Sequence, residues 1–343
     1  MKTPVRIILM VVCCALIALA PFVFSSPVML PEVQEEIQFG GEETGLMRWL
    51  IPAAMAEETV EVETVPQGEG LNPAPAEWEL PMDDFTAPPA PDASKFTETG
   101  YEDETIRVTL EKQAEEQVVW NIARIQLSSP SQLRTVYSKK NANVSNMAEK
   151  NNAVIAISGD YLNNDPQKTT FEVRMGKEIR KKGNGLKDML IIDDQGDFHL
   201  FRNSEGVFQK NKKNQWEYIY EGSVVNAFTF GPALVIDGMV QDMEERDYGY
   251  NRNGREPRAA IGQTGPLSYI FLLAAATDRD GKTGVNHQEL ADKMGELGCT
   301  QAFNLDGGGT AEMVFNGEIL RAAPGGKERA QSDIIYVGTL VPN

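Results

Sequence analysis

The residues best suited to chemistry lie in one short run near the C-terminal end of the chain. It reads Asn304-Leu305-Asp306-Gly307-Gly308-Gly309-Thr310-Ala311-Glu312. Three consecutive glycines are costly in backbone entropy and contribute nothing to packing, so they indicate a tight turn or the close approach of another group. Apolar residues on both sides predict a strand–loop–strand element that carries two carboxylates. This loop is the first candidate for a working site.

Further polar residues are predicted at strand ends, where rigid scaffolds commonly hold functional groups. They are Asp160, Arg258, Asp278 and Arg329. Each of them also has a structural interpretation when it is taken alone. Asp160 and Asp278 fit turn positions, Arg258 fits a surface cation, and Asp306 fits a cap of the glycine turn.

The acid–base groups of this chain are predicted to be carboxylates. Only two histidines occur, His199 in a predicted strand and His287 in the first turn of a predicted helix. Neither is placed for a Ser-His-Asp mechanism, and no His/Cys cluster has the ligand spacing of a zinc site. Cys299 is the one cysteine beyond residue 14, so an internal disulfide in that part is excluded.

The elements that must position these residues are mostly strands. Alternation predicts strands over Val118–Leu127 and Ser268–Ala276, and the turn at 193–197 predicts a hairpin between Met189–Ile192 and Phe198–Phe201. Two helices are predicted, one over Val144–Asn151 and one that starts at Asn286 with Glu289 completing a capping box. Many strands with few helices predict a single α+β domain with mixed β-sheets over residues 105–343.

The N-terminal residues 1–24 are predicted to direct export. Residues 7–24 form an uncharged apolar run after Lys2 and Arg6, about long enough for a bilayer-spanning helix of ~20 residues. The charge asymmetry places the N-terminus inside and the remainder outside. Pro21 directly follows the small-residue cleavage motif, which favours an uncleaved signal anchor over a signal peptide. The chain is therefore expected to be membrane-anchored with its domain outside, or secreted if residues 1–24 are cleaved.

Residues 25–104 are predicted to form a disordered acidic tether. They contain 19 Asp and Glu residues, two basic residues and ten of the 19 prolines. Such a segment buries too little apolar surface to fold. Most of the net charge of −18 belongs to this segment, which argues against nucleic acid as a partner. The region 105–343 is nearly neutral.

Four blocks between residues 105 and 340 resemble the phosphodiester glycosidase family, whose best-known kind of member removes N-acetylglucosamine from a phosphodiester-linked mannose. The blocks are 156–161, 231–238, 257–262, and a last one running from Thr277-Asp278-Arg279 through Asn304–Thr310 to Glu328-Arg329. The first block departs from the family's usual Asn-Gly-Gly-Phe-Phe, because Ser158 and Asp160-Tyr161 stand in its place. The resemblance implies a domain of the phosphodiester glycosidase type over residues 105–343.

The resemblance implies that the protein is an exported hydrolase, which cleaves a sugar 1-phosphodiester in envelope or secreted glycopolymers. Glycoside chemistry runs on pairs of carboxylates, and Asp306 is the expected catalytic one, with Glu312 or Asp278 as second acid. Arg258 and Arg329 would bind phosphate through planar contacts, and the amides of Gly307, Gly308 and Gly309 would form an anion nest. Asp160, Asn304 and Thr310 complete the expected substrate-binding set.

Several alternatives stay open from the sequence. No cofactor is predicted, but Asp160, Asp306 and Asp278 are hard oxygen ligands that could bind a divalent cation. The chain could also be a non-catalytic glycan-binding or exopolysaccharide-assembly module, or an ordinary glycosidase without phosphate in its substrate. The expected partners are a carbohydrate or sugar phosphate and, through residues 7–24, a membrane.

Overall fold

The structure is a computed structural model that describes residues 87–160, 162–163, 170–183, 187–243 and 254–341. All of these residues lie in one compact unit, Pro66–Asn343. The predictions for the apolar run 7–24 and for residues 25–86 of the acidic segment lie outside the described residues. Within the described ranges, no helix is long and apolar enough to span a bilayer.

The described chain folds into 21 strands and two α-helices. The first twelve strands are β1 (Phe96–Thr97), β2 (Gly100–Glu102), β3 (Ile106–Ala114), β4 (Val118–Leu127), β5 (Leu133–Ala142), β6 (Ile155–Ser158), β7 (Phe171–Arg174), β8 (Lys177–Lys181), β9 (Met189–Ile192), β10 (Phe198–Phe201), β11 (Phe208–Lys210) and β12 (Trp216–Tyr218). The remaining nine are β13 (Asn226–Phe228), β14 (Ala233–Ile236), β15 (Met239–Val240), β16 (Arg258–Gly265), β17 (Ser268–Ala276), β18 (Gln301–Asn304), β19 (Glu312–Phe315), β20 (Glu318–Arg321) and β21 (Gln331–Val337). The helices are α1 (Val144–Lys150) and α2 (His287–Glu296).

The strands form three main sheets and one separate hairpin, β11–β12. Sheet A has the order β1-β2-β3-β4-β17-β16-β18-β14-β15, sheet B the order β20-β19-β6-β21-β5, and sheet C the order β10-β9-β13-β7-β8. The fold is therefore more β-rich than the predicted α+β class. The prediction of mixed sheets is wrong, because every strand pair among the described residues is antiparallel.

Sheet B explains how the chain avoids parallel pairs. Helix α1 connects β5 to β6, and these two strands run in the same direction. They do not pair with each other, because the last strand, β21, lies between them and is antiparallel to both. A helical connection of this kind commonly joins two adjacent parallel strands. Here an antiparallel strand lies between the two strands that the helix connects.

The folded region begins earlier than predicted. Strand β2 pairs with both β1 and β3 and extends sheet A by two strands. The boundary predicted at residues 104/105 therefore lies inside this sheet, and residues 96–102 belong to it rather than to a tether. Tyr101, which is buried, packs its ring against Phe96 with ring centroids 4.6 Å apart.

One hydrophobic core joins the three sheets. Its large side chains include Phe271 of sheet A, Ile157 of sheet B and Phe228 of sheet C. Helix α2 covers the other face of sheet A, and α1 covers the other face of sheet B. Because burial of apolar surface is the main favourable term in folding, this shared core sets where the strand ends of the three sheets meet. The candidate site lies at those ends.

Candidate active site

The triple-glycine loop links β18 to β19 through one short 3-10 turn at Gly308–Thr310. Gly308 has φ +64°, a left-handed conformation that favours glycine. Gly307 is required for a different reason, because a Cβ atom added there would lie 3.0 Å from the carbonyl oxygen of Pro257. The loop therefore needs its glycines for its turn and for the close approach of the neighbouring chain.

Asp306 is held inside this loop by its own neighbours. Its Oδ1 atom accepts the amide of Gly307 at 3.0 Å, and its Oδ2 atom accepts the hydroxyl of Thr310 at 2.8 Å. The residue is 8% exposed. Burial raises the pKa of Asp306 to about 7, opposed by the Thr310 hydroxyl and aided by the charges of Asp160 and Asp333. Asp306 can therefore exchange a proton near neutral pH.

A backbone hydrogen bond joins the loop to the end of β6. The amide of Asp306 donates to the carbonyl oxygen of Gly159 at 3.0 Å, and Asp160 follows directly. The amide of Asp160 in turn donates to Oδ1 of Asp333, at 2.9 Å. A Cβ atom added to Gly159 would lie 2.7 Å from the Asp333 carboxyl carbon, so only glycine fits here. The ends of three strands, β6, β18 and β21, are thus brought together.

Arg174 is the buried cation of this site. Its Nε atom donates to Oδ2 of Asp333 at 2.7 Å, and its Nη2 atom lies 3.7 Å from Oδ2 of Asp160. Its guanidinium carbon lies 3.9 Å from the centre of the Phe228 ring. Burial opposes the charge of Arg174, but the surrounding carboxylates, Asp333 foremost, outweigh it and raise its pKa. Arg174 therefore stays charged and compensates the two aspartates.

Glu172 completes the buried group. Its Oε2 atom lies 3.2 Å from Nη1 of Arg174, and its Oε1 atom accepts the hydroxyl of Thr229. Burial raises the pKa of Glu172 well above its ordinary value, and the negative charge of Asp160 raises it further. One arginine faces three buried carboxyl groups, and this surplus of acid favours the protonated form of Glu172.

Glu312, the predicted second acid, lies in different surroundings. It is 1% exposed, and its Oε2 atom has no hydrogen-bond partner among the described residues. Burial raises its pKa to about 8, and the charge of Glu328 adds to the rise. The alternation of β19 puts Glu312 on the face of Val314, which packs against α1. Its charged neighbours are Glu328, Arg321 and Arg329, and Arg329 also lies beside Gly309 of the triple-glycine loop. The catalytic role of Glu312 stays a prediction.

Arg329 lies over the loop from the solvent side. A Cβ atom added to Gly309 would lie 3.2 Å from Nη1 of Arg329, and both residues are exposed. The predicted anion nest is partly used by the protein itself, because the Gly307 amide binds Asp306 and the Gly308 amide donates to Pro257 at 2.7 Å.

Arg258 lies beside the loop, but the protein itself engages its guanidinium. Its Nε atom donates to the Val285 carbonyl at 2.9 Å and its Nη1 atom lies 2.9 Å from Nε2 of His287. Its Nη2 atom lies 3.1 Å from a carboxylate oxygen of Glu256. Burial lowers the pKa of Arg258. These contacts fix the strand β16 that supports the loop, and the predicted phosphate contact is not apparent in them.

Asp278 and Asn304 have local roles. The Oδ1 atom of Asp278 accepts the amides of Lys282 and Thr283, both at 3.0 Å, and these bonds to its own turn lower its pKa. Asn304 donates its side-chain amide to the Gly231 carbonyl at 2.8 Å, while its buried Oδ1 atom has no partner among the described residues. The structure thus groups Asp160, Asp306, Thr310 and Arg329 with the glycines, and ties Asp278 to a turn.

Sequence reasoning missed the residues at the centre of the cluster, Glu172, Arg174 and Asp333. The run Phe171-Glu172-Val173-Arg174 alternates as a half-exposed strand would, which predicts charged side chains in solvent. Asp333 lies in β21 directly before the apolar run that begins at Ile334, and a polar residue at that position was the one available signal. No group of three or more His, Cys, Asp or Glu residues suited to a metal ion occurs in the part of the chain that the structure describes. A cation site at Asp160, Asp306 and Asp278 stays an untested alternative.

Comparison with known proteins identifies the class. A family model described as phosphodiester glycosidase matches residues 151–338, and the chain belongs to this family of glycosidase-type hydrolases. The match covers the strand ends that carry Asp160, Arg174, Asp306 and Asp333. The family suggested by the sequence blocks is thereby confirmed.

Solved structures share the fold at low sequence identity. The catalytic domain of zebrafish N-acetylglucosamine-1-phosphodiester alpha-N-acetylglucosaminidase, auto-inhibited by its pro-peptide, is 15% identical, with a TM-score of 0.51 over 74% of this chain and 87% of that one. A hypothetical protein from Synechocystis is also 15% identical, with a TM-score of 0.50 over 68% of this chain and 62% of that one. These likenesses concern the fold.

A curated relative matches the sequence over part of its own length. The SPbeta prophage-derived uncharacterized protein YomE of Bacillus subtilis (strain 168) is 22% identical over 201 residues, which are 57% of this chain. The matched part is 29% of YomE, so the chain spans less than a third of that relative.

Proposed function

We propose that the protein is an exported hydrolase that cleaves a sugar 1-phosphodiester, with Asp306 as its catalytic carboxylate. The observation that carries this proposal is the state of Asp306. It is a nearly buried carboxyl with a pKa of about 7, oriented by Gly307 and Thr310 at the end of a strand. General bases work best when their pKa lies near the operating pH.

The reaction suits a site with one well-placed carboxylate. Ionised Asp306 takes a proton from water while the water oxygen attacks the anomeric carbon. The bond between that carbon and the phosphate oxygen breaks, and its electron pair leaves with the phosphate monoester. This leaving group is a weak base, so it needs little help from a general acid. The products are the free sugar and the phosphate monoester.

The phosphate is assigned to Arg329. Its guanidinium is exposed above Gly309, the glycine farthest from the Asp306 carboxyl along the loop. A planar guanidinium binds phosphate oxygens through two parallel hydrogen bonds, and an exposed arginine can do so without first losing a buried partner. The near neutrality of residues 105–343 is compatible with an anionic substrate.

The buried group of Arg174, Asp333 and Asp160 is assigned a positioning role. Arg174 fixes the carboxyl of Asp333, which holds the Asp160 amide, and the adjoining Gly159 carbonyl holds the Asp306 amide. The negative charges of Asp160 and Asp333 also keep the Asp306 pKa high. A substitution in this group should therefore change the position and the pKa of Asp306, although the group itself is assigned no contact with the substrate.

The test is the release of sugar from a panel of sugar 1-phosphodiesters, run beside neutral glycosides of the same sugars. Asp306→Asn should lose roughly 10²–10⁴-fold in kcat, the usual contribution of a positioned base. Asp292→Asn, an exposed aspartate on α2, is the matched control and should keep full activity. Near-normal hydrolysis by Asp306→Asn would remove the central assignment, and preference for the neutral glycosides would remove the phosphate.

The expected location is outside the cytoplasm, with a phosphodiester-containing glycopolymer of the envelope or secreted layer as substrate. The predicted leader in residues 1–24 is the support for this location. Fractionation with antibody detection of the full chain tests it, and recovery in the cytoplasmic fraction alone would contradict it.

A further inference from the structure

A second concave site lies between β5 and the β7–β8 hairpin, with the end of α1 and strand β21 at its rim. Its volume is about 430 Å³. This is within the range of 300–1,000 Å³ typical of small-molecule and cofactor sites. We call it the β5–β8 cleft. Nothing in the proposed reaction uses it.

The cleft has an excess of positive charge. Arg134, Lys139 and Lys177 line it, and both lysines are exposed. Its single acidic lining residue is Glu178, and that carboxylate lies 2.6 Å from Nζ of Lys181, which is outside the cleft. Among the described residues neither Lys139 nor Lys177 forms an ion pair, so these two charges stay available within the cleft.

The rest of the lining suits a sugar. Tyr137 contributes a half-buried aromatic ring with a polar end, and Asn151 contributes an amide. Tyr336 also lines the cleft but is buried and packs against α1. Arg134 hydrogen-bonds to the Tyr336 hydroxyl, which keeps its charge beside the ring. An aromatic surface with a few oriented polar groups is typical of small-molecule sites, and cationic side chains beside it bind carboxylate or phosphate groups.

The cleft adjoins the candidate active site through shared residues. Tyr137 is the register partner of Asp333, and its hydroxyl donates to Asn163, three residues after Asp160. Arg174, which holds Asp333 and Asp160, also belongs to the cleft lining. A chain that occupied both places would thus meet cations on each side of the buried group.

We propose that the β5–β8 cleft binds an anionic sugar unit, one that bears a phosphate or a carboxylate. The choice of a sugar rests on the proposed function, since a glycopolymer presents further anionic units next to the one that is cleaved. The positive lining, the size and the aromatic rings of the cleft rest on the structure alone. Lysine binds phosphate as a point charge, so both ligand anions fit Lys139 and Lys177.

Calorimetric titration of the full chain carrying Asp306→Asn, which blocks cleavage, tests this site. The probe is an oligosaccharide of three phosphodiester-linked sugars, and a neutral oligosaccharide of the same length is the comparison. The added double substitution Lys139→Gln/Lys177→Gln should weaken binding of the anionic probe tenfold or more. Lys182→Gln removes the same charge from an exposed residue directly after β8 and outside the cleft, and it should change the affinity less than twofold.

An affinity within twofold of the parent in the double variant would overturn the proposal, and so would the absence of binding to the parent. Poly-glutamate is the charge comparison, and equal affinity for it would replace the sugar by an acidic peptide. Hydrolysis of a small sugar 1-phosphodiester by the unsubstituted chain is measured separately. Failure there with intact binding removes the proposed function, whereas normal hydrolysis with no lysine effect removes the cleft proposal.

Discussion

The raised pKa of Asp306 predicts an unusual pH dependence of stability. Its ordinary value is 3.8 and its value in the folded protein is about 7. Each pH unit between them corresponds to about 1.4 kcal/mol, so ionised Asp306 costs the folded state up to about 4 kcal/mol. Because the folded pKa is the higher one, the unfolded chain releases its proton first. Stability is therefore lost as pH rises from about 4 to about 7.

Asp306→Asn removes the titrating carboxyl group, so comparison of the variant with the parent measures how much its ionisation destabilises the folded protein. About a third of the cost is already present at pH 5, so the stability of the variant relative to the parent should rise by about 2–3 kcal/mol between pH 5 and pH 8. Urea unfolding of the full chain at both pH values measures this difference. Hydrogen bonds lost from Gly307 and Thr310 change both values equally and cancel in the comparison.

Asp278→Asn is the matched control. Bonds from its turn lower the pKa of Asp278, so its contribution is fully present at both pH 5 and pH 8. The stability difference between that variant and the parent should therefore stay constant. A constant difference for Asp306→Asn as well would refute the raised pKa and the choice of Asp306 as a base near neutral pH.

Three further predictions concern the surroundings of Asp306. Arg329→Gln should raise KM for a sugar 1-phosphodiester about tenfold with little change in kcat, whereas Lys327→Gln, two residues earlier, should leave both within twofold; steady-state kinetics decide. Arg174→Met should cost about 3–5 kcal/mol in urea unfolding, because Asp333 and Asp160 lose their counter-charge. Adding Asp333→Asn should recover part of that loss, and no recovery would contradict the charge argument. Gly307→Ala should destabilise by about 1 kcal/mol through the Pro257 carbonyl, while Gly265→Ala, with no atom within 4 Å of the added Cβ, should be neutral by the same assay.

Local signals in the sequence predicted local elements well. The β9–β10 hairpin was predicted with the bounds that the structure has, because a turn-rich pentapeptide separates two apolar runs. Helix α2 follows Asn286, whose side chain accepts the Glu289 amide, as the capping box predicted. Each of these signals depends on residues within a few positions of one another.

Pairing and burial over long distances were harder to predict. The insertion of β21 between β5 and β6 depends on residues more than 150 positions apart, and no local pattern specifies it. For the same reason the burial of Glu172 and Arg174 in sheet C, beside Asp333, was not predicted. Asp160 and Asp306 were predicted as members of one site. The role of Asp333, which links them, could not be predicted from the sequence and is known only from the structure.

The position of β21 affects when, during synthesis, the candidate site can form. This strand supplies Asp333 and separates β5 from β6, yet its residues 331–337 are synthesised after every other strand of sheet B. Until the ribosome has added these residues, Arg174 has no Asp333 to bind and the Asp160 backbone has no support. A nascent or C-terminally truncated chain should thus contain Asp306 without its supporting group.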